Sequence, residues 1–143
     1  MPVIRRELLF LKNCAITENH LYSKVYAKGK KHATRTVVLY VLRDLHANRL
    51  MRQHPMKVKI NRVGITVSKK IGGAVERNRA KRVLREAYRH IDKEFGIKTG
   101  FLIVMVAREA ITVVNGTKVE ADLKNALTAL GMIMDGSSPE VNP

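Results

Sequence analysis

Between residues 72 and 89 the chain reads GGAVERNRAKRVLREAYR, and the chemistry within reach of Arg77, Arg79, Lys81, Arg82, Arg85 and Arg89 is anion recognition. Planar guanidinium forks match phosphate bidentately and also reach the Hoogsteen edge of guanine. At about 100° per residue, with Ala80 set to zero, Lys81, Arg85, Asn78, Arg89, Arg82, Lys93 and Arg79 fall between about 100° and 260°. They lie opposite an apolar stripe of Ala80, Val83, Leu84, Ala87, Ile91 and Phe95. Glu86 shares the charged sector, but an exposed pair with Arg82 or Arg89 contributes only about 0.2–0.5 kcal/mol. Two readings fit: a solvated helix face, or a surface built for phosphate. Twenty-seven Lys and Arg against twelve Asp and Glu give a net charge of +15, and a polyanionic partner would offset the self-repulsion this costs. Gly72 and Gly73 precede the helix, whose positive end favours anions; Lys69 and Lys70 sit just before them, and Asn78 is placed to cap the helix or bond a base or ribose.

Residues able to do covalent chemistry do not assemble into a pattern. A self-sufficient active site needs a nucleophile with a partner, paired carboxylates or metal-ligand spacing. His20, His32, His46, His54 and His90 have no cysteine or helically spaced histidine beside them and read as surface or groove residues. KKIGGAVERN lacks the GK[ST] of a phosphate-binding loop. No catalytic residue and no metal ligand is therefore assigned. Cys14 is the single cysteine, so no internal disulfide asks for an oxidising compartment.

A second set of residues suits single-stranded nucleic acid. Tyr22 and Tyr26 are four apart on one helical face and Tyr40 lies on a strand, so the three rings can line a groove between helix and sheet, with Lys28 and Lys30 of KGKK at its exit. Aromatic faces accept any base, at about 1–3 kcal/mol per stack. The competing reading packs the tyrosines in the core with hydroxyls at the rim.

The elements that position these residues follow from periodicity. A first helix carries Leu21, Tyr22, Val25 and Tyr26, with Thr17 as cap and Gly29 as stop. TVVLYVL (36–42) and RVGITVS (62–68) read as strands and are expected to pair. The basic helix runs from about Asn78 to Phe95; FLIVMVA (101–107) is a buried strand, and a last helix starts near Lys118. The order α, β, β, α, β, α implies a single α+β domain over 17–134, with a 1–16 extension and a 135–143 tail expected to be flexible. Within the extension, Leu8, Leu9, Phe10 and Leu11 are placed to cover the first helix or its cleft. The connection 43–61, with Arg43, Arg49, Arg52, Lys57, Lys59 and the adjoining Arg62 against only Asp44, either adds RNA contacts or is a solvated loop. FLIVMVA is the longest apolar run and is far short of a membrane span; with Glu7 and Lys12 interrupting the N-terminal apolar stretch, the expected compartment is the cytoplasm.

The segment SKKIGGAVERNRAKRVLREAYR, with Arg-Asn-Arg at 77–79, resembles the signature of the bacterial ribonuclease P protein component. The likeness starts at RVGITVSKK and extends more weakly to YSKVYAKGK, VLY and FLIVMVAR. The resemblance implies helices packed on a mixed four-stranded sheet, a sandwich like ribosomal protein S5 domain 2 with a left-handed crossover. It also implies a subunit that helps a catalytic RNA hold precursor tRNA while the 5′ leader is removed, with chemistry carried by RNA and its bound Mg²⁺. By position, Lys69, Lys70, Arg77, Asn78, Arg79, Lys81, Arg82, Arg85 and Arg89 would contact the catalytic RNA, and Tyr22, Tyr26, Tyr40, Lys28 and Lys30 the leader. No membrane and no small-molecule substrate is implied. The tyrosines depart from the phenylalanines usual at the two helix positions but keep the stacking face. On charge alone, a ribosomal-type protein bound to rRNA is the alternative, and a DNA-binding module a third reading.

Overall fold

The computed structural model describes residues 13–134. The chain forms strand β1 (Asn13–Ala15), helix α1 (Asn19–Lys28), β2 (Lys30–Ala33), β3 (Val37–Arg43), α2 (Ala47–Gln53), β4 (Asn61–Thr66), α3 (Ala74–Phe95), β5 (Phe101–Ala107) and α4 (Gly116–Ala129). Short 3-10 turns, Lys69–Ile71 and Glu109–Val113, precede α3 and α4. Leu8–Leu11 and the tail 135–143 lie outside the described residues.

The sheet is mixed, in the order β1-β4-β5-β3-β2, with β1, β4 and β5 parallel and β3 antiparallel to both β5 and β2. The expected α+β fold is present with five strands rather than four. Beyond the three strands located by pattern, the sheet adds β1 and β2, short edge strands without the apolar alternation that marks a strand in sequence. The stretches 36–42 and 62–68 do not pair with each other. β5 lies between them because FLIVMVA is buried on both faces, and such a strand must be central.

One face of the sheet carries the main core. Val37, Leu39, Val41, Ile103 and Met105 meet Ala80, Leu84, Ala87 and Ile91 of α3 and Val119, Leu123 and Leu127 of α4. The expected stripe of α3 is thus the buried one, with Val83 and Phe95 packed at its margin. Tyr88 is buried with it: its hydroxyl donates to Asn13 Oδ1 at 2.8 Å and accepts from Asn61 Nδ2 at 3.3 Å, which ties β1 and β4 to the helix. Among the described residues, the other face is only partly covered. Leu21 and Val25 of α1 pack with Ile16, Leu102 and Val104, and the rest is left to partly buried side chains.

Two helix starts differ from expectation. α1 begins at Asn19 after Glu18, with no side-chain cap from Thr17. α3 begins at Ala74, four residues before Asn78, because Gly72 turns at φ 146° and Glu76 Oε1 accepts the Gly73 N–H at 3.0 Å. The left-handed side of φ at position 72 suits glycine, and a Cβ there would meet the Glu76 side chain at 3.0 Å. Glu76 therefore occupies part of the helix's positive end, and Asn78 is an exposed residue of the helix body rather than its cap. Within the connection 43–61, α2 folds over the sheet end with Ala47 buried.

Candidate nucleic-acid interface

The register places rows of side chains side by side on the half-covered face. Gly64, Val104, Tyr40 and Lys31 form one row; Thr66, Val106, Val38 and Ala33 form the next. Small residues at 64 and 66 leave depth above β4, and the α1 tyrosines fill it. The Tyr22 ring lies so close over Gly64 that a Cβ there would collide with its hydroxyl and ring carbons. Tyr26 donates to or accepts from Thr66 Oγ1 at 2.8 Å and meets Tyr40 edge-on, with ring centroids 5.0 Å apart at 73°. Tyr22 and Tyr26 are 6.4 Å apart. Tyr22 and Tyr40 are half-buried and Tyr26 is 40% exposed, so the rings form an open floor and wall rather than a closed core. Burial first, and the neighbouring Tyr26 second, push the Tyr22 hydroxyl above the ordinary phenol range, so it remains a donor at neutral pH.

Among the lysines assigned to this surface, Lys28 is exposed at the end of α1. Lys30 is a different case: it stands opposite Val41, whose side chain belongs to the main core, so it sits on the other face from Tyr40. Lys31, opposite Tyr40, stands on the aromatic face. Strand alternation decides this, and the phase is fixed only by the β2–β3 register. Arg108, just past β5, also stands at this end of the sheet, with its guanidinium on Thr34 O at 2.8 Å.

The basic helix divides into groups. Lys69 and Lys70 form the exposed turn between β4 and α3, and Asn78 and Arg82 are exposed on the helix. Arg77 is half-buried, its Nε on Gly73 O at 3.4 Å. Arg79 is committed elsewhere: its Nη1 donates to Ile111 O at 3.1 Å and its Nη2 to Val114 O at 3.0 Å, fastening the turn before α4 to α3. Replacing Arg79 by alanine leaves two carbonyls without a donor and should cost about 1–3 kcal/mol, read as a lower urea midpoint. An unchanged midpoint would show these bonds to be dispensable. Lys81, Arg85 and Arg89 line a groove of about 770 Å³ between α3 and the outer edge of β4, whose opposite wall includes Tyr22 and Gly64. Residues assigned separately to two ligands thus meet in one place.

Among the described residues no group of three or more His, Cys, Asp or Glu could hold a metal ion, and no helix is long and apolar enough to cross a membrane.

The Ribonuclease P family model matches residues 10–131. The ribonuclease P protein component of Thermoanaerobacter sp. is 39% identical over 132 residues, covering 90% of this chain and 91% of that protein. The one from Clostridium botulinum is 33% identical over 123 residues, covering 85% and 98%. Among solved structures, the Staphylococcus aureus RNase P protein superimposes with a TM-score of 0.66 at 24% identity, covering 86% of this chain and 98% of that one. The protein from Thermotoga maritima gives 0.62 at 23% identity, covering 78% and 93%.

Proposed function

Because the chain belongs to the ribonuclease P protein family, and so to an endoribonuclease complex of tRNA 5′ processing, we propose a division of labour between its two surfaces. The cations at the start of α3, half-buried Arg77 and exposed Arg82 with Lys69 and Lys70, and Asn78 beside them, engage the phosphates of the catalytic RNA. The floor of Tyr22, Tyr26 and Tyr40, flanked by Lys28 and Lys31, takes the single-stranded leader of precursor tRNA. The observation that carries this is the open aromatic floor: three rings joined through Tyr26, which pairs with both Tyr22 and Tyr40, beside a strongly cationic helix.

Stacking holds bases without reading their sequence, as a leader that differs between precursors requires. Hydrolysis is assigned to the RNA and its bound Mg²⁺. The protein's contribution is positional and electrostatic: two polyanions approach each other against repulsion, and the +15 chain lowers that barrier where Mg²⁺ is scarce.

The test is leader cleavage at low Mg²⁺ by a bacterial ribonuclease P RNA with this protein, the RNA without it, and the protein alone. Cleavage only when both are present is the expected result. No gain from the protein would favour an rRNA-binding role, and cleavage by the protein alone would overturn the assignment of hydrolysis to RNA.

A further inference from the structure

Resting on that reading, we infer that the groove between α3 and the free edge of β4 is a substrate subsite, in which Lys81, Arg85 and Arg89 bind phosphates of the precursor's single strand rather than the catalytic RNA.

The edge of the sheet makes the groove. β1 pairs with β4 only from Asn61 to Val63, and the last bond is Ile16 N–H to Val63 O at 3.0 Å. Beyond that point the chain turns away into α1, so Gly64 and Ile65 border open space instead of another strand. α3 forms the far wall. Lys81, Arg85 and Arg89 recur every fourth residue, one helical turn apart, about 6 Å between neighbours. Successive phosphates of an extended strand can follow such a ladder. At about 770 Å³ the groove has the size of a small-molecule pocket, enough for a nucleotide or two and far too narrow for a duplex.

Continuity assigns the occupant. Tyr22 belongs to the aromatic floor through Tyr26 and to the groove through its place over Gly64. A strand stacked on the floor reaches the phosphate ladder by rounding the edge of β4 at this residue. Arg77, Asn78 and Arg82 do not line the groove, which leaves them for the other RNA. The ladder continues one turn past Arg89 to Lys93, which also lines the groove, and there Asp92, held by Asn13 Nδ2 at 3.2 Å and by the Ile97 N–H at 3.0 Å, sets a carboxylate among the cations.

The test reconstitutes the full-length protein with a bacterial ribonuclease P RNA and compares wild type, Lys81→Gln/Arg85→Gln and Arg82→Gln. The groove variant should bind leader-bearing precursor roughly tenfold more weakly, and lower the salt slope of that binding by about 1.4, at about 0.7 per single-strand phosphate. Its affinity for the catalytic RNA should be unchanged, while Arg82→Gln should do the reverse. With the leader cut to one nucleotide, wild type and groove variant should coincide. A groove variant that weakens assembly as much as Arg82→Gln, or a loss that persists with the short leader, overturns the subsite. Cys14, the sole cysteine, is exposed and borders the groove, so a photoreactive group attached to it reports independently. Crosslinks to the leader support the subsite; crosslinks to the catalytic RNA, or none, overturn it. If wild type itself gives no leader-dependent binding, the underlying reading fails and the subsite with it, an outcome distinct from failure of the groove variant alone.

Discussion

Replacing Tyr22 and Tyr26 together by alanine is expected to abolish most of the holoenzyme's preference for leader-bearing precursor over mature tRNA, with assembly on the catalytic RNA intact. Tyr26 is exposed and Tyr22 half-buried beside it, and each base stacked on such a ring contributes about 1–3 kcal/mol. Two lost stacks at the low end, about 2 kcal/mol, correspond to a fall of roughly 30-fold in precursor affinity. The removal also leaves Tyr40 without its edge-on partner and Thr66 without its hydroxyl partner, so the remaining floor loses order as well as area. Equilibrium binding of precursor and mature tRNA to the assembled enzyme reads the difference. Tyr22→Phe/Tyr26→Phe is the control: it keeps the faces, loses only the exposed bond to Thr66, and should stay within a few-fold of wild type. Equal losses for precursor and mature tRNA in the alanine variant would show that the floor serves something other than the leader.

The parts of this surface that periodicity controls were legible in the sequence. The α3 stripe repeats over a 22-residue helix, and the spacing of Tyr22 and Tyr26 places both rings on one side of α1 whatever the rest of the fold does. What depends on contacts between distant segments was not. Lys31 rather than Lys30 shares the face of Tyr40 because of the β2–β3 register, which no local pattern in KKHA reveals. Arg79 reads as one more cation of a basic run, and the carbonyls that engage it lie more than thirty residues away. α2 is seven residues long, and its apolar positions Ala47, Leu50 and Met51 span little more than one turn, too short a repeat to mark a helix; only Ala47 is fully buried. The start of α3 was masked by its own charge pattern, since the Gly72 turn and the Glu76 return bond outweigh the polar residues that suggested a cap at Asn78. The groove itself exists because β1 stops at Ala15, and strand length at a sheet edge leaves little trace in three polar or small residues.

Asp44→Ala should destabilise the protein by about 3–5 kcal/mol, the cost of leaving a desolvated charge without its partner. Asp44 is 3% exposed and accepts from Arg62 Nε at 2.8 Å, from Arg62 Nη2 at 2.9 Å and from the His46 N–H at 3.0 Å. Its own N–H donates to Gly100 O at 2.9 Å, and Arg62 reaches on to Glu18 at 3.4 Å. One carboxylate therefore joins the start of β4, the entry to α1 and the segment after β3, which fixes how α1 stands over the floor. Burial alone would push the Asp44 carboxyl up, but the hydrogen bonds and charge of Arg62 and the His46 N–H outweigh it and hold it below the usual carboxylate range. A depressed folded value means stability that is fully present above the unfolded value of 3.8 and is lost as pH falls through the folded one. The gap in urea midpoint between wild type and Asp44→Asn should accordingly be wide at pH 7 and shrink below pH 4. A gap that is the same at both pH values would mean that the carboxylate's charge is not what Arg62 needs. The double variant Asp44→Ala/Arg62→Met separates pairing from burial: it removes the orphaned guanidinium along with the carboxylate, and should lie closer to wild type than Asp44→Ala does.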